Sequence, residues 1–183
     1  MNVIPTSLND CLLIKPAVYE DTRGYFFESY NKNELSKYLK MNVDFVQDNQ
    51  SKSMKGVLRG LHYQLPPFEQ AKLVRVISGE VLDVVVDLRK KSSTYGKYEA
   101  FNLSAENKYQ LYIPKGFAHG FVTLSESAEF FYKCDNFYAP THERGIKFDD
   151  PTLNINWGIS PELIHISSKD NKLPNFSKID NPF

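Results

Sequence analysis

The sequence has few cysteines, no excess of either charge and no long apolar run. Among 183 residues the only cysteines are Cys11 and Cys134, too few for a disulfide framework in a domain of this size. Neither lies in a nucleophile motif, so we predict two reduced structural thiols. The 22 basic and 22 acidic residues balance. A nucleic acid or an anionic membrane surface is therefore not expected as a partner, because both attract proteins with a basic excess.

No segment predicts export or insertion into a membrane. The longest apolar stretch near the N-terminus, Leu12–Ile14, is much shorter than the core of a signal peptide or a membrane span. No repeat or Pro/Gly/Ser-rich linker divides the sequence. We therefore expect a cytoplasmic protein with a single domain over residues 1–183.

Aromatic residues, by contrast, are abundant. The chain has 13 phenylalanines, 11 tyrosines and one tryptophan, and these make up 14% of it. Aromatic side chains favour strands and line pockets. From residue 43 onward, short runs of β-branched and aromatic residues alternate with turn residues, which is typical of strands. The predicted strands are Val43–Gln47, Val57–Gln64, Lys72–Ile77, Val81–Leu88, Glu99–Leu103, Tyr109–Ile113, Gly120–Leu124 and Glu129–Asn136.

Only one segment has a helical pattern. Leu35, Tyr38 and Leu39 have the spacing of one helix face, and Asn31 with Glu34 resembles a capping box. Many short strands with almost no helix predict an all-β protein. We expect a double-sheet jelly roll or a barrel that has a few short helices and encloses a cavity.

Two of the four histidines lie in unusual surroundings. His62 follows Arg59 and Gly60 in one predicted strand, where regular alternation would put Arg59 and His62 on opposite faces. A bulge at Gly60 would turn both side chains toward one site. His119 follows a Pro-Gly turn, and the pair resembles the two-motif arrangement of the cupin superfamily.

Metal-dependent cupins supply a His-x-His pair and a glutamate from the first motif. Here the pair is broken, because Gln64 stands at its second position. Glu69 is the available acidic residue, but the nearby cation Lys72 would repel a divalent metal. We expect neither a metal nor another cofactor.

Longer motifs resemble one family. These are Asp21–Glu28, Gln47–Ser51, Gly56–Gln64, Gln70–Arg75, Gly79–Arg89, Ile113–Phe121, Tyr132-Lys133 and Glu143–Ile146. Together they closely resemble the dTDP-4-dehydrorhamnose 3,5-epimerase family, in order and at the family's spacing, from about Leu12 to Asp170. The tail after Lys172 carries no motif of this kind. The resemblance implies a cupin-type jelly roll that works as a homodimer.

The resemblance also implies a reaction. It is inversion of C3 and C5 of dTDP-4-keto-6-deoxy-D-glucose to give dTDP-4-keto-L-rhamnose, in dTDP-L-rhamnose biosynthesis for surface polysaccharide. Both carbons lie next to the C4 ketone, so each inversion can pass through an enolate. His62 matches the family's base, Tyr132 its acid and Lys72 the group that holds the enolate oxygen. Asp170 matches the carboxylate that orients His62, and Asp83, within a buried-looking strand, is the rival partner.

Further positions match the family's substrate contacts. Arg23 and Arg59 match residues that bind the diphosphate, and Arg23 is expected to reach in from a neighbouring subunit through an exchanged N-terminal segment. Tyr138 matches an aromatic that stacks on the base. The remaining expected contacts with the nucleotide or the sugar are Glu28, Gln47, Asp48, Asn49, His119, Glu143 and Lys169. His142 and His165 match no functional position, so we expect them at the surface.

Three alternatives stay open at this point. A relative with the same fold could invert one carbon only, or move the ketone of another dTDP-keto-sugar. A cupin could bind a sugar nucleotide without converting it. A metal-dependent oxygenase is the third alternative, and the broken metal motif argues against it.

Overall fold

The computed structural model describes residues 1–183 and is built almost entirely of β-strands. One short helix, α1, spans Lys32–Ser36, and single 3-10 turns lie at Pro140–His142, Pro161–Leu163, Asp170–Lys172 and Phe176–Lys178. The strands are β1 (Asn2–Pro5), β2 (Leu12–Lys15), β3 (Tyr19–Asp21), β4 (Gly24–Phe26), β5 (Gln47–Met54), β6 (Val57–Gln64), β7 (Lys72–Ser78), β8 (Glu80–Asp87), β9 (Tyr98–Ser104), β10 (Gln110–Ile113), β11 (Phe117–Thr123), β12 (Ser127–Cys134), β13 (Glu143–Gly145) and β14 (His165–Ile166). None of the helical segments has the length and hydrophobicity that a membrane-spanning helix needs.

Two sheets form the body of the molecule. The first has the order β1-β2-β10-β7-β12-β5, and the second has the order β13-β6-β11-β8-β9, with β14 added in parallel to β6. Apolar side chains from both sheets meet in one interior cluster, which includes Val74 and Phe130 from the first sheet and Val85 and Phe121 from the second. This arrangement confirms the predicted cupin-type double-sheet jelly roll, because each sheet buries one face against the other.

A second apolar cluster covers the outer face of the second sheet. Leu61, Val84 and Val122 belong to it, and Trp157 packs over them. The C-terminal tail joins this layer, where Phe183 packs edge-on against Tyr63 at a centroid distance of 6.1 Å. Because the second sheet is covered on both faces, its central strands are apolar on both sides, as the sequence of β8 shows.

Seven of the eight predicted strands are present, with ends that differ by a few residues. The prediction for Val43–Gln47 is wrong, because residues 43–46 form no strand and β5 begins at Gln47. Val43 and Phe45 instead pack beside Leu35 of α1, so their apolar character reflects this smaller cluster. Their alternation with Asp44 resembles the pattern of a strand in sequence.

The sequence prediction misses the N-terminal strands. Strands β1 and β2 pair with each other and, through β2, with β10, so they exist because of contacts with a distant part of the chain. Strands β3 and β4 form a separate hairpin that joins neither main sheet. The predicted helix is present, and the Asn31 side chain accepts a hydrogen bond from the Glu34 backbone N–H at 3.3 Å. It ends at Ser36, so Tyr38 and Leu39 of the predicted helix face lie beyond it.

Candidate active site

A cavity of about 570 Å³ opens between the two sheets, and half of the predicted site residues line it. All four residues that the resemblance marks as catalytic line it, together with three of the expected substrate contacts. These seven residues are Arg59, His62, Lys72, His119, Tyr132, Lys169 and Asp170. Phe121 and Phe130 provide apolar wall, so the cavity combines a few charged groups with an aromatic surface, as binding sites for small molecules do.

A bulge in β6 brings Arg59 and His62 to the same side. Strand β11 pairs His119 with His62 and Phe121 with Arg59, so β6 has one more residue than its partner over this interval. Gly60 is the extra residue. Its φ is +121°, a conformation that glycine adopts without strain. The predicted bulge is confirmed, and both Arg59 and His62 line the cavity.

Gly60 also allows two strands to approach closely. A Cβ atom on Gly60 would lie 2.6 Å from the Gly120 Cα and 2.7 Å from the His119 carbonyl oxygen, both of them backbone atoms. We predict that Gly60→Ala lowers the free energy of unfolding by roughly 3 kcal/mol or more, because strained φ and overpacking add. It should also reduce activity by displacing His62. Gly96→Ala is the matched control, with a φ of +73° and no contact shorter than 3.5 Å.

The two variants are compared by chemical denaturation and by turnover. In Gly96→Ala the free energy of unfolding should fall by about 1–2 kcal/mol, which is the backbone cost of a positive φ. Its turnover should stay normal, since Gly96 does not line the cavity. Equal losses of stability in the two variants would contradict a close approach of β6 and β11 at Gly60.

His62 forms a hydrogen bond with Asp170. His62 Nε2 lies 2.7 Å from Asp170 Oδ1, and the Gly60 backbone N–H donates to Asp170 Oδ2 at 3.4 Å. Burial would raise the pKa of Asp170, but the hydrogen bond and the charge of His62 lower it below the ordinary value. Asp83, the alternative partner for His62, pairs with His119 instead, and its Oδ2 lies 2.8 Å from His119 Nε2. No three His, Cys, Asp or Glu side chains lie together as a ligand set for a metal ion.

Tyr132 and Lys72 come from the sheet opposite His62. Tyr132 lies on β12 and packs against Phe130, and the Lys72 Nζ is 5.8 Å from the centre of the Tyr132 ring. Burial raises the pKa of Tyr132 to about 12, so its phenol keeps its proton at neutral pH. Burial lowers the pKa of Lys72. The cavity thus has a histidine–carboxylate pair on one wall and a proton-carrying phenol beside an amine on the other.

A chain of hydrogen bonds connects residues close to this cavity. The Tyr138 hydroxyl donates to Glu143 Oε2 at 2.7 Å, and the Lys169 ammonium binds the same oxygen. The Tyr138 backbone N–H donates to Gln47 Oε1, and Gln47 in turn donates to Asn49 Oδ1. These five predicted contact residues therefore lie in one connected group.

Three predicted contacts lie away from the chain's own cavity. Arg23 is at the tip of the β3–β4 hairpin, with 88% of its side chain exposed and Asp21 as its partner. Glu28 is exposed and binds the Asn31 side chain. Asp48 points to the face of β5 opposite Gln47 and Asn49, where it pairs with Lys133.

Several residues of the site were not predicted. Ser167 Oγ accepts the Asp170 backbone N–H at 3.0 Å and so holds the carboxylate in place. Ser51 and His165 line the cavity, and His165 is exposed, as expected for a surface residue. No sequence signal identifies Ser51 or Ser167. The sequence does single out Asp83, because it is a carboxylate in an otherwise apolar strand.

Comparisons with known proteins agree with this geometry. The sequence profile of the family described as dTDP-4-dehydrorhamnose 3,5-epimerase matches residues 5–178. A protein of that name from Shigella flexneri is 55% identical over 170 residues, which cover 93% of each chain. A crystal structure of the epimerase from Elizabethkingia anophelis superimposes with a TM-score of 0.95 at 51% identity, over 99% of this chain and 98% of that one. The Legionella pneumophila structure, solved with dTDP-4-keto-L-rhamnose, has a TM-score of 0.93 at 46% identity, with 98% and 94% coverage.

Proposed function

The chain belongs to the dTDP-4-dehydrorhamnose 3,5-epimerase family, and we propose that His62, Tyr132 and Lys72 carry out the inversions. The enzyme is an isomerase of dTDP-L-rhamnose biosynthesis that converts dTDP-4-keto-6-deoxy-D-glucose to dTDP-4-keto-L-rhamnose. One observation carries the assignment of roles. The histidine–carboxylate pair and the protonated phenol line one cavity from opposite sheets.

Inversion next to a ketone needs proton transfer on both faces of the sugar. In this proposal His62 Nδ1, the ring nitrogen that does not face Asp170, removes the proton from C3 or C5, and the electrons of that C–H bond move to the C4 oxygen. The Tyr132 hydroxyl then donates a proton to the same carbon from the opposite face. The imidazolium and the phenolate return to their starting forms by exchange with solvent, and the cycle repeats at the second carbon.

Two charged groups assist these transfers. Asp170 faces the other nitrogen of His62, so its negative charge stabilises the imidazolium that forms. The Lys72 ammonium supplies positive charge to the enolate oxygen, an electrostatic effect that is usually a large part of catalysis of this kind. Tyr132, with a pKa of about 12, gives a strongly basic phenolate that regains a proton readily.

The nucleotide is proposed to bind toward the connected group of polar residues beside the cavity. Arg59 and Lys169 would pair with the diphosphate, and Tyr138 would stack on the base. Glu143 holds both Tyr138 and Lys169, so it orders these contacts before the substrate arrives. Gln47 fixes the backbone of Tyr138.

A second copy of the chain is proposed to complete the site. The β3–β4 hairpin exposes Tyr19, Tyr25 and Phe26 by 67%, 60% and 66%, and such an apolar surface usually marks an interface. Arg23 at its tip reaches no group of its own cavity. In a homodimer with exchanged hairpins, Arg23 would enter the partner's cavity beside Arg59 and face the diphosphate. Glu28 lies two residues beyond β4, so the same exchange would bring it to the partner's site.

Mixing two inactive variants tests this exchange. Arg23→Ala and His62→Ala homodimers should each have low activity. After their subunits exchange, one site of each mixed dimer has both His62 and a partner's Arg23, so the mixture should recover about a quarter of the wild-type activity. No recovery, with mixed dimers shown to form, would mean that Arg23 acts within its own chain or not at all.

We also propose that the enzyme works in the cytoplasm. Cys11 and Cys134 are buried and unpaired, and burial raises the pKa of both thiols, that of Cys134 to about 11, so neither thiol is poised for oxidation. Free thiols of this kind suit the reducing cytoplasm.

The product's stereochemistry tests the proposed function. Purified protein is incubated with dTDP-4-keto-6-deoxy-D-glucose, and proton coupling constants of the sugar are followed by NMR. We expect inversion at both C3 and C5. Inversion at one carbon would favour a one-carbon epimerase, a shifted ketone would favour a ketoisomerase, and tight binding without conversion would favour a binding protein.

A further inference from the structure

Gln64 is a buried polar side chain that the proposed mechanism leaves without a role. It is the last residue of β6, two positions beyond His62, where metal-dependent cupins have the second histidine of their pair. Only 5% of Gln64 is exposed, and it does not line the cavity. A buried amide is costly unless its donors and its acceptor have partners. Its hydrogen bonds therefore indicate what it does.

Both ends of the Gln64 amide bind backbone. Nε2 donates to the Phe68 carbonyl oxygen at 2.6 Å and to the Phe137 carbonyl oxygen at 3.2 Å, and Oε1 accepts the Ala139 N–H at 2.7 Å. These partners fix the orientation of the amide, because a carbonyl can only accept and a backbone N–H can only donate. Gln64 thus holds backbone at the position where other cupins hold a metal.

Two of these three bonds flank Tyr138. Residues 137–139 belong to no helix or strand, so no regular backbone pairing holds them. Phe137 and Tyr138 are exposed, so packing in a core does not fix them either. Gln64 binds the carbonyl before Tyr138 and the N–H after it, and Gln47 Oε1 accepts the N–H of Tyr138 itself at 3.0 Å. Two glutamine side chains therefore set the backbone position of Tyr138.

The third bond connects this segment to the loop between β6 and β7. Phe68 belongs to that loop, and Gln70 in the same loop donates from Nε2 to the Asn136 carbonyl oxygen at 2.8 Å. Asn136 Nδ2 donates back to the Pro67 carbonyl oxygen at 3.1 Å. The loop and the segment after β12 thus hold each other, and Gln64 is the buried side chain that binds both.

The ring of Tyr138 is held from the same place. Gln64 pairs with Glu143 in the register of β6 and β13, and Glu143 Oε2 accepts the Tyr138 hydroxyl at 2.7 Å. Paired residues on adjacent strands therefore bind the backbone on both sides of Tyr138 and the tip of its side chain. This arrangement holds an exposed aromatic ring in one position without a ligand.

We propose that Gln64 is a positioning residue for nucleotide recognition, which holds residues 137–139 so that the Tyr138 ring is in place to stack on the base before the substrate arrives. The inference rests on the proposed function of Tyr138, and it adds a residue that does not touch the substrate. A ring that is ordered in advance loses less freedom on binding, which raises affinity. The effect of Gln64 is therefore on binding and not on the proton transfers.

Gln64→Met tests the proposal because it keeps the length of the side chain and removes all three hydrogen bonds. The freed backbone groups need new partners, so residues 137–139 move toward water. We expect the Kd for dTDP, measured by titration calorimetry, and the KM for the keto-sugar to rise about 10- to 100-fold, which is the range of one stacked base. The kcat should change by less than about threefold, because the catalytic groups keep their places.

Gln110→Met is the matched control. Gln110 is also a buried glutamine, with 2% exposure, but it lies on β10 of the first sheet and does not line the cavity. The control should keep the wild-type Kd for dTDP. The same loss of affinity in Gln110→Met would overturn the proposal, since any buried glutamine would then have this effect.

A double variant separates positioning from general damage. Tyr138→Ala should itself raise the Kd for dTDP about 10- to 100-fold. If Gln64 acts through Tyr138, adding Gln64→Met to Tyr138→Ala raises the Kd by less than about twofold more. Effects that multiply in full would overturn the proposal, and so would an unchanged Kd in Gln64→Met. Failure of the proposed function is distinct, because then the wild-type protein itself would not bind dTDP or convert the keto-sugar.

A second measurement uses the wild-type protein and still decides if Gln64→Met does not fold. Amide hydrogen exchange, followed by NMR without any ligand, reports whether the Ala139 N–H is held by Gln64. We expect this amide to exchange at least about tenfold more slowly than an unstructured amide. Rapid exchange that slows only when dTDP is added would overturn the proposal, because the segment would then be ordered by the ligand and not in advance.

Discussion

His62→Ala should lose turnover by about 10³- to 10⁴-fold and lose solvent exchange at both C3 and C5. The reason is that, in the proposed mechanism, a single nitrogen of His62 serves as the base for both carbons. Of the other two histidines that line the cavity, His119 is engaged with Asp83 through Nε2, and His165 is exposed. Exchange is measured by NMR in D₂O with dTDP-4-keto-6-deoxy-D-glucose as the substrate.

The loss should come from chemistry and not from instability. His62 keeps 28% of its side chain exposed, so its truncation leaves no closed core cavity. His142→Ala is the matched control, since His142 packs against Phe68 at 4.6 Å and does not line the cavity. Near-normal turnover in His62→Ala, or exchange retained at one carbon, would show that another group is the base there.

Tyr132→Phe should separate proton removal from inversion. The variant keeps the ring that packs against Phe130 and loses only the hydroxyl. His62 can still form the enolate, but the proton can return only from the same face. We expect inversion to slow by about 10²- to 10³-fold, while the starting sugar still takes up deuterium with its configuration retained.

The diagnostic quantity is the ratio of exchange to inversion. It should rise strongly in Tyr132→Phe and stay at the wild-type value in Tyr109→Phe, whose ring also packs against the interior cluster. If exchange and inversion fell together in Tyr132→Phe, the phenol would be needed for enolate formation and would not be the acid on the opposite face.

The fold was predictable where local patterns and tertiary structure agree. Strand β6 matches its predicted bounds, because β-branched and apolar residues run between turn residues there. Strand β5 was not predicted, because its sequence from Gln47 to Met54 is almost entirely polar. It forms by pairing along β12, a contact between distant segments that no local pattern reports.

The site was predictable mainly through its motifs. The bulge at Gly60 follows from an arginine and a histidine separated by a glycine in one strand, together with the chemistry both suggest. The choice between Asp83 and Asp170 was beyond the sequence. Strand alternation places Asp83 inside, but only the fold decides that it contacts His119 and that Asp170, 108 residues from His62 in sequence, reaches His62. The proposed place of Arg23 involves a second chain, which the pattern of one sequence does not report.

The most direct test of the central claim is the number of deuterium atoms in the product. The protein converts dTDP-4-keto-6-deoxy-D-glucose in D₂O. Mass spectrometry of the product counts the deuterium atoms, and NMR shows which carbons carry them. If His62 and Tyr132 exchange protons with solvent and act on both faces, the product contains two deuterium atoms, one at C3 and one at C5. A product with inverted centres and no deuterium would contradict inversion through solvent-exchanged acid and base, and a single deuterium would contradict inversion at both carbons.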